Sequence, residues 1–519
     1  MKELVFARTF LPAMERDAER DCVACGSYRA SVGEHGDRVL RLADAMRSQL
    51  GLDKTRRYAV LAANSHMYLE LYHAGLLGAG LMNPLNLRLA PAEVAYILDD
   101  SETEVLFVDA AFAHVVEHVR AEVASLRTVV AIGPGDFPHD VRYDDLLAAG
   151  EPRVPAEGDE SDAAILMYTG GTTGLPKGVL TSQRAEVLNA YHAAMSFALS
   201  PEDRCLLQTP MFHAAAIGIV MATPAGLGCT TILPFFEPGA VLAAIEEHAI
   251  TFTVMVPTMI ALTMAHESYE PARMAGLTKL AYGASPMPLG LLQRIQKDLP
   301  DLDLYQAYGM TEAAAVLTVL SPADHERGGD LLRSAGRPVH GVVLSIQGPD
   351  GEVLPRGTEG EVCAMGGNFM EGYWNKPDAT AEAFAGGWYH TGDMGLLSET
   401  GHLYLVDRVK DMIVTGGENV YSIEVENAIA THPDVLQVAV IGIPHDTWGE
   451  QVHAIVVPQP GAEPDTAELM RHARTTIAGY KVPKSMELRS EPLPMSGAMK
   501  PLKRELRKPY WEGSDRGVN

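Results

Sequence analysis

Two spacings of apolar residues alternate along the first third of the chain. Over residues 39–50 they recur at i, i+3, i+4, i+7 and i+11, which predicts one face of a helix that ends at Gly51. The stretch 91–98 predicts a second, shorter helix. Apolar runs typical of buried strands occur at 58–62, 104–108, 128–132 and 163–168. Strands separated by helices predict a parallel sheet with helices on its faces.

The spacing changes after about residue 335. Short strand-like runs at 342–347, 360–364 and 402–405 predict a small antiparallel sheet or barrel. A compact α+β unit is predicted beyond Arg408. Its helices are expected at 423–430 and 466–478, its strands at 436–443 and 452–457, and a tail rich in Lys, Pro, Met and Ser follows.

Composition narrows the possible functions. The 519 residues include 41 Lys and Arg against 67 Asp and Glu, a net charge of −26, which argues against a general nucleic-acid-binding surface. Apolar segments are broken by Gly and Pro before reaching the length of a membrane helix, so no integral membrane segment is expected. Five cysteines form no disulfide framework, which favours the cytoplasm. The Cys22–Cys25 pair has no partner pair that would complete a metal site.

A glycine- and threonine-rich segment follows the strand predicted at 163–168. Residues 168–178 contain four Gly and three Thr around Lys177. Glycines let the backbone approach a phosphate chain, hydroxyl groups add hydrogen-bond donors, and the lysine adds positive charge. The order differs from the P-loop of kinases and GTPases, whose Lys follows Gly directly and precedes Ser or Thr. The segment therefore predicts a phosphate-binding loop of another kind.

This loop resembles that of the adenylate-forming enzymes: acyl-CoA synthetases, aryl-CoA ligases, luciferases and the adenylation domains of peptide synthetases. Further stretches match the family in the same order, at 308–312 (YGMTE), 388–393 (WYHTGD), 407–419 (DRVKDMIVTGGEN) and 493–500 (LPMSGAMK). The resemblance runs from residue 163 to about 507. It implies an enzyme that uses ATP and Mg²⁺ to activate a small carboxylic acid, with coenzyme A as the acyl acceptor.

The resemblance also implies roles for individual residues. Thr311 would contact the α-phosphate, Glu312 would bind Mg²⁺ directly or through water, and Tyr308 would stack on adenine. Asp393 would accept hydrogen bonds from the ribose hydroxyls, and Arg408 would support the ribose or phosphate. The other residues expected at ATP are Thr169, Gly170, Gly171, Thr172, Thr173, Gly174, Lys177, Gly283, Ala284, Ser285, Gln306, Ala307 and Gly309.

The C-terminal part carries the residues that the resemblance assigns to domain movement. Lys500 is the expected catalytic lysine, which would bridge the acid's carboxylate and the α-phosphate. Lys410 falls at the hinge position, and Gly416 and Gly417 resemble the glycines that line the route of the CoA thiol. The sequence departs from the family pattern at Met499, where Gly usually precedes the lysine, and at Gly170, where the loop usually has Ser.

The expected acid pocket is apolar. His213 stands where peptide-synthetase adenylation domains carry an Asp that holds the substrate ammonium, which argues against an α-amino acid. The stretch 253–260 contains no Arg or Lys to pair a second carboxylate, so a dicarboxylate is disfavoured. The expected pocket residues are His213, Met211, Val256, Tyr282 and Ala284. They suit an apolar tail that is aliphatic, alicyclic or aryl.

The expected protein is an acid–CoA ligase with an α/β fold. A large AMP-binding domain of two α/β subdomains and a small β-barrel would span 1–406, a hinge 407–410, and a small mobile α+β domain 411–519. A luciferase-like oxygenase, a carrier-protein-loading enzyme and a non-catalytic nucleotide sensor remain as alternatives. The sequence does not decide between a monomer and a homo-oligomer.

Overall fold

The structure is a computed structural model, and the regions it describes are 4–156, 158–169, 175–222, 228–285, 287–408, 411–415, 418–445, 448–496 and 501–512. Its regular elements up to residue 182 are α1 (Phe6–Arg16), β1 (Asp21–Cys25), β2 (Tyr28–Ser31), α2 (Val32–Ser48), β3 (Arg57–Leu61), α3 (His66–Leu76), β4 (Leu81–Pro84), α4 (Pro91–Asp100), β5 (Val105–Asp109), α5 (Val116–Glu122), β6 (Thr128–Ile132), β7 (Val141–Arg142), α6 (Tyr143–Ala149), β8 (Ala163–Thr169) and β9 (Lys177–Ser182).

The second set runs to residue 338 and comprises α7 (Gln183–Ser196), β10 (Arg204–Leu207), α8 (Ala214–Ala222), β11 (Cys229–Ile232), α9 (Pro238–Glu247), β12 (Phe252–Met255), α10 (Pro257–Ala265), β13 (Lys279–Gly283), α11 (Leu289–Asp298), β14 (Asp303–Met310), β15 (Ala315–Leu320), α12 (Pro322–Arg327) and β16 (Arg337–Pro338). The third set comprises β17 (Val343–Gln347), β18 (Gly360–Met365), β19 (Gly372–Tyr373), α13 (Pro377–Ala383), β20 (Tyr389–Leu397) and β21 (Leu403–Arg408). The last set comprises β22 (Ile413–Thr415), β23 (Glu418–Val420), α14 (Ser422–Ala430), β24 (Val435–His445), β25 (Gly449–Pro458), α15 (Thr466–Ala473), β26 (Ser485–Leu488) and α16 (Lys503–Trp511).

The eight-stranded sheet, called sheet B below, contains the strands predicted from the first third of the chain. Its order is β19-β9-β8-β4-β3-β5-β6-β7, and the strands from β8 to β7 pair in parallel. Residues 58–61 of β3 are at most 1% exposed, because helices cover both faces of the sheet. The predicted parallel sheet is confirmed. At β8 the direction reverses, since β9 runs antiparallel and pairs Thr169 with Lys177.

Sheet A has the order β16-β15-β14-β13-β12-β10-β11-β1-β2 and is parallel from β14 to β1. The carboxyl ends of β13 and β14 lie side by side, with Gly283 paired to Ala307. A Cβ on Gly283 would lie 2.0 Å from the Ala307 carbonyl oxygen, so only glycine fits this close approach. Open α/β sheets bind ligands at such strand ends.

Sheet C is antiparallel in the order β17-β18-β20-β21, as the runs at 342–347, 360–364 and 402–405 predicted. Its last pairing sets Asp393 opposite Arg408. The strand register therefore brings these two predicted nucleotide residues together across β20 and β21.

Sheet D has the order β23-β22-β25-β24, and β26 lies parallel to β25. The helix predicted at 466–478 ends earlier, at Ala473. The Thr475 and Thr476 hydroxyls donate to the carbonyls of His472 and Ala473, and such local bonds compete with the helical ladder. In the predicted tail the structure contains β26 and α16, whose Leu506 is buried against this sheet.

The overall class is α/β, with a large N-terminal part and a small C-terminal part, as expected. No helix in the described ranges combines the length and the apolar character that crossing a bilayer requires.

Candidate functional site

The predicted adenine and ribose residues meet at the ends of sheets A and C. The Tyr308 hydroxyl donates a hydrogen bond of 2.6 Å to Asp393 Oδ2, although 85 residues separate them along the chain. Asp393 is 9% exposed. A carboxylate with about four acceptor positions is a common acceptor for the hydroxyl groups of a sugar. The arrangement suits recognition of a sugar beside an aromatic ring.

Thr311 and Glu312 follow directly on β14, in a short 3₁₀ helix at Thr311–Ala313. The turn that closes this helix has left-handed backbone angles at Ala314 (φ 49°) and Ala315 (φ 118°). Such strain persists only where the surroundings impose it, and it is common at ligand sites. The turn sets Thr311 and Glu312 at the open end of the sheet.

Tyr373 connects Glu312 to the phosphate loop, a connection that the sequence reasoning missed. Its hydroxyl donates to Glu312 Oε1 at 3.2 Å, and its ring lies 5.0 Å from Lys177 Nζ. The pairing of β19 with β9, in register Tyr373 to Val179, produces this proximity. Burial, followed by the charge of Glu312, raises the pKa of Tyr373. The tyrosine therefore remains a neutral donor between a cation and a carboxylate.

Asp100, at the end of α4, anchors the base of the phosphate-loop hairpin. The Tyr168 hydroxyl donates to Asp100 Oδ2 at 2.6 Å, and Trp374 Nε1 donates to the Asp100 carbonyl at 3.0 Å. Thr169 and Lys177 end the two strands of the hairpin. The predicted loop residues Gly170, Gly171, Thr172, Thr173 and Gly174 lie outside the described residues.

The predicted wall behind adenine is built from backbone. Ala284 has a left-handed φ of 65°, and Ser285 follows it at the end of β13. Gln306 pairs with Tyr282 in the adjacent strand. Gly309 has no room for a side chain either, since a Cβ there would lie 1.7 Å from the Ala315 carbonyl oxygen. The structure brings these predicted residues together beside Tyr308.

The predicted acid-pocket residues are mostly part of the core. Tyr282 is 1% exposed and shares a hydrogen bond of 2.8 Å with His325 Nε2, and it packs in one cluster with Val256. Met211 is fully buried, and its carbonyl accepts from a tyrosine hydroxyl of α3. His213 Nδ1 accepts from the Ala215 backbone N–H at 3.1 Å. Met211 and His213 directly precede α8, whereas Val256 and Tyr282 belong to a separate core cluster.

A different set of side chains lines the cavity that reaches Thr311. The cavity extends between β8, α7 and α8, and Glu186 lies on its wall. Burial raises the pKa of Glu186 to about 7, against the opposing effect of a hydrogen bond from Thr181. The other lining residues are Ile165, Met167, Thr181, Ala214, Ile217 and Ala314. In the sequence, Glu186 differs from its neighbours only in being a charged residue at a helix position that faces inward.

The segment that precedes Lys500 contacts the N-terminal part of the chain. Arg88 Nη1 donates to the carbonyls of Met495 and Ser496 at 3.1 and 2.9 Å. Arg88 lies in the connection from β4 to α4, and Tyr96 of α4 donates to the Pro176 carbonyl in the phosphate-loop hairpin at 3.4 Å. Lys500 itself, Lys410, Gly416 and Gly417 lie outside the described residues, and Arg408 is placed only by its strand pairing.

A magnesium ion fits the donor set at this site. Mg²⁺ is commonly held by one or two carboxylates together with substrate phosphates. Glu312 supplies one carboxylate next to the ends of the phosphate-loop hairpin. Among the described residues, the ligand atoms of Glu361, Cys363 and His390 lie close enough together to hold a metal ion. This group is not part of the site at Glu312.

Comparisons with known proteins show to which family the chain belongs. The family model for AMP-binding enzymes matches residues 10–374, and that for the AMP-binding enzyme C-terminal domain matches 424–500. The chain is similar to a feruloyl-CoA synthase of an Amycolatopsis species, with 39% identity over 489 residues (93% of this chain and 95% of the relative). It is also similar to a fatty acid–[acyl-carrier-protein] ligase of Streptomyces coeruleorubidus, with 34% identity over 491 residues (92% and 91%).

Among solved structures, ATP-bound MatB from Rhodopseudomonas palustris superimposes with a TM-score of 0.89 at 26% identity, covering 98% of this chain and 99% of that chain. The family matches span both the large and the small part of the chain. They confirm the resemblance and the expectation of an enzyme. The chain belongs to the AMP-binding family of adenylate-forming enzymes.

Proposed function

We propose that the chain is an ATP-dependent acid–CoA ligase for an apolar monocarboxylic acid. In the first step a carboxylate oxygen attacks the α-phosphorus of ATP, which gives acyl-AMP and releases pyrophosphate. In the second step the CoA thiol attacks the acyl carbon, which gives the thioester and releases AMP. One observation carries the proposal: the Tyr308–Asp393 pair and the Lys177–Tyr373–Glu312 chain are joined at the end of β14, where Tyr308 and Glu312 are four residues apart.

The first step needs positive charge because both reactants are anions. Two unit charges 4 Å apart interact by about 4 kcal/mol at an effective dielectric of ~20. Lys177 and the hydroxyl of Thr311 act on the phosphates in this proposal, and Asp393 holds the ribose. Magnesium held by Glu312 would neutralise phosphate charge when it is bound with ATP.

Lys500 is the proposed catalytic residue of the first step. Since it lies near the end of the chain, the small domain must fold over the large one for the lysine to act. We place the domain boundaries at 1–406 and 411–519, with Lys410 as hinge, Arg408 beside the nucleotide, and Gly416 and Gly417 on the thiol route.

The acid would lie near His213, Met211, Val256, Tyr282 and Ala284. Relatives are named for feruloyl and fatty acyl groups, so an aryl and an aliphatic acid are both included in the proposal. A carrier protein as the acyl acceptor is the second candidate, because one relative is named a fatty acid–[acyl-carrier-protein] ligase.

The test is a pyrophosphate-release screen over fatty, aryl and steroid-ring acids, with CoA and without it. Pyrophosphate release that depends on one acid class, with a CoA thioester as product, is expected. Acyl-AMP that accumulates with CoA but is consumed by an acyl-carrier protein would instead favour the carrier-loading candidate. ATP or AMP binding without pyrophosphate release from any acid would contradict both.

Substitution of the lysine separates the two steps. Lys500→Ala is expected to slow adenylation by ~10²-fold or more, the scale of removing one oriented charge, and to spare thioester formation from supplied acyl-AMP. Lys508→Ala is the matched control, since Lys508 is exposed on α16. Pyrophosphate release that survives Lys500→Ala would refute the assignment.

A further inference from the structure

Sheet C brings a cysteine, a histidine and a glutamate together at one point. Cys363 Sγ lies 3.5 Å from His390 Nδ1, and the same nitrogen lies 2.9 Å from Glu361 Oε2. The ligand atoms of the three side chains are all within 4.8 Å of one another. Thiolate, imidazole and carboxylate groups are the ligands that zinc sites in proteins use. The group therefore has the chemistry of a zinc site.

The pairing of β18 with β20 produces this cluster. Cys363 is the direct cross-strand partner of His390. Glu361 stands two residues before Cys363, and side chains two residues apart on a strand point to the same face. The register shifts between these two positions, because Glu361 pairs with Met394, so β20 carries extra residues there. Such bulges redirect side chains and are common beside functional sites.

The distances are close to those around a tetrahedral ion. With Zn–S bonds of about 2.3 Å and Zn–N and Zn–O bonds of about 2.0–2.1 Å, sulfur and nitrogen stand about 3.6 Å apart, and nitrogen and oxygen about 3.3 Å. The observed distances are 3.5 Å from Cys363 Sγ to His390 Nδ1 and 2.9 Å from that nitrogen to Glu361 Oε2. The carboxylate would have to withdraw by only ~0.4 Å to admit the ion.

The surroundings of the ligands also fit a metal site. His390 Nε2 lies 3.2 Å from the Ala385 carbonyl oxygen, and metal-binding histidines usually donate their other ring N–H to such a group. A neutral imidazole carries one N–H, yet both ring nitrogens of His390 face acceptors. A cation between Nδ1 and Glu361 Oε2 would satisfy both atoms. The other oxygen, Oε1, accepts from the Gly392 N–H at 3.1 Å, which orients the carboxylate.

We propose that Glu361, Cys363 and His390 bind one Zn²⁺ ion, with a water molecule as the fourth ligand. The side chains of Glu361 and His390 are 28% and 25% exposed, so the ion can reach the buried Cys363 sulfur from solvent. Bonds form from Sγ, Nδ1 and Oε2 to the ion, and the thiol proton passes to solvent, because the thiolate is the ligand. Mg²⁺ prefers oxygen ligands, so this site is distinct from the one expected at Glu312.

The ion would link β18 to β20 beside a residue of the proposed nucleotide site. His390 lies three residues before Asp393, and the bulge between the strands includes Gly392, whose φ is 69°. A metal held by side chains of both strands would fix the base of this bulge. A ligand that binds only the folded chain stabilises it, so Zn²⁺ is expected to raise the Tm of the protein.

The experiment titrates the full-length protein with Co²⁺, which occupies zinc sites and shows a charge-transfer absorption when bound to a thiolate. After a chelator has removed bound metal, one equivalent of Co²⁺ should produce this absorption, and Zn²⁺ should displace it. Cys363→Ser should abolish both the absorption and the rise in Tm with Zn²⁺. Zn²⁺ affinity, measured by competition with a chromophoric chelator, should fall by at least ~10-fold in Glu361→Gln and in His390→Gln, since even outer partners of a metal contribute that much.

Cys25→Ser is the matched control, because Cys25 is a partly buried cysteine on β1 of another sheet. It should keep the absorption and the rise in Tm. If Cys363→Ser does not fold, Glu361→Gln decides, since Gln keeps the shape and an acceptor for Gly392. Unchanged Zn²⁺ affinity in Glu361→Gln would overturn the site. No cobalt–thiolate absorption in the wild type would also overturn it, and would leave His390 and Glu361 as a hydrogen-bonded pair. An absorption that survives Cys363→Ser and is lost in Cys25→Ser would contradict the assignment as well.

Discussion

The substitution Glu186→Gln should make the protein more stable, and increasingly so as the pH rises. Burial raises the pKa of Glu186 to about 7 from an ordinary value of 4.5. Below pH 4.5 both folded and unfolded chains hold the proton, so the side chain has no pH-dependent effect. Between 4.5 and 7 the unfolded chain loses the proton first, and the wild type loses stability as the pH rises. Above about pH 7 the folded chain is ionised as well, so the wild type loses no further stability through this group.

The magnitude follows from the two pKa values. A difference of about 2.5 in pKa corresponds to about 3 kcal/mol, at 1.36 kcal/mol per pKa unit. Gln has the same shape, accepts the Thr181 hydrogen bond and cannot ionise. The free energy of unfolding of Glu186→Gln, relative to wild type, should therefore increase by about 2–3 kcal/mol between pH 5 and pH 8.

Urea unfolding of both proteins at pH 5, 6, 7 and 8 measures this difference. Titrations elsewhere cancel in the comparison, and burial raises the pKa of Tyr72, which interacts with Glu186, well above this range. Glu117→Gln, at an exposed position of α5, is the control and should change the free energy little at any pH. A Glu186→Gln difference that does not vary with pH would show that the Glu186 carboxyl is not desolvated as the structure indicates.

Three further substitutions test other parts of the structure. Asp393→Asn should raise the KM for ATP by roughly 10-fold in the pyrophosphate assay, because one charged acceptor for the ribose is lost. Arg88→Ala removes two hydrogen bonds to the segment before Lys500, including one to the Ser496 carbonyl, and should slow adenylation several-fold while sparing thioester formation from acyl-AMP. Lys279→Met leaves the buried Asp203 carboxylate without its cation, and should lower the free energy of unfolding by about 3 kcal/mol.

Control variants and contrary outcomes distinguish specific effects from general damage in these three experiments. Tyr308→Phe removes the hydroxyl that bonds Asp393 but keeps the ring, so it should affect ATP binding less than Asp393→Asn. An unchanged KM for ATP in Asp393→Asn would refute the ribose assignment. Arg153→Ala breaks an exposed ion pair with Glu151 and should change stability by less than about 1 kcal/mol, in contrast to Lys279→Met. An equal loss of both steps in Arg88→Ala would indicate general damage rather than altered docking.

The local spacing of apolar residues was sufficient to predict much of the fold. The apolar spacing over 39–50 corresponds to α2, and the run at 128–132 to β6, because both patterns arise from a single buried face or strand. The strand β26 and the helix α16 escaped prediction, since Lys, Pro and Met in the tail carry little periodic signal. Their order depends on contacts with sheet D, which local sequence does not encode.

The sequence also indicated residues of the proposed nucleotide site that lie together in the fold. The motifs containing Tyr308 and Asp393 are separated by 85 residues, yet the resemblance placed both at the nucleotide, and the structure joins them. Tyr373 and Asp100 were missed because their contacts depend on the pairing of β19 with β9 and on the end of α4. Neither residue is distinguishable in the sequence from an ordinary turn or helix-end residue.

The two halves of the site differ in how they are built, and this explains why the sequence indicates the reaction better than the acid. The nucleotide half uses backbone at Gly283 and Gly309 and a few side chains in contiguous motifs, so related chains can share it closely. The residues proposed for the acid half are single side chains, of which Met211, Val256 and Tyr282 are buried like ordinary core positions. Relatives of 34–39% identity carry names with different acyl groups, as expected if this half varies freely. Because apolar core positions accept tails of many shapes, the acid has to be identified by the pyrophosphate-release screen rather than from the sequence.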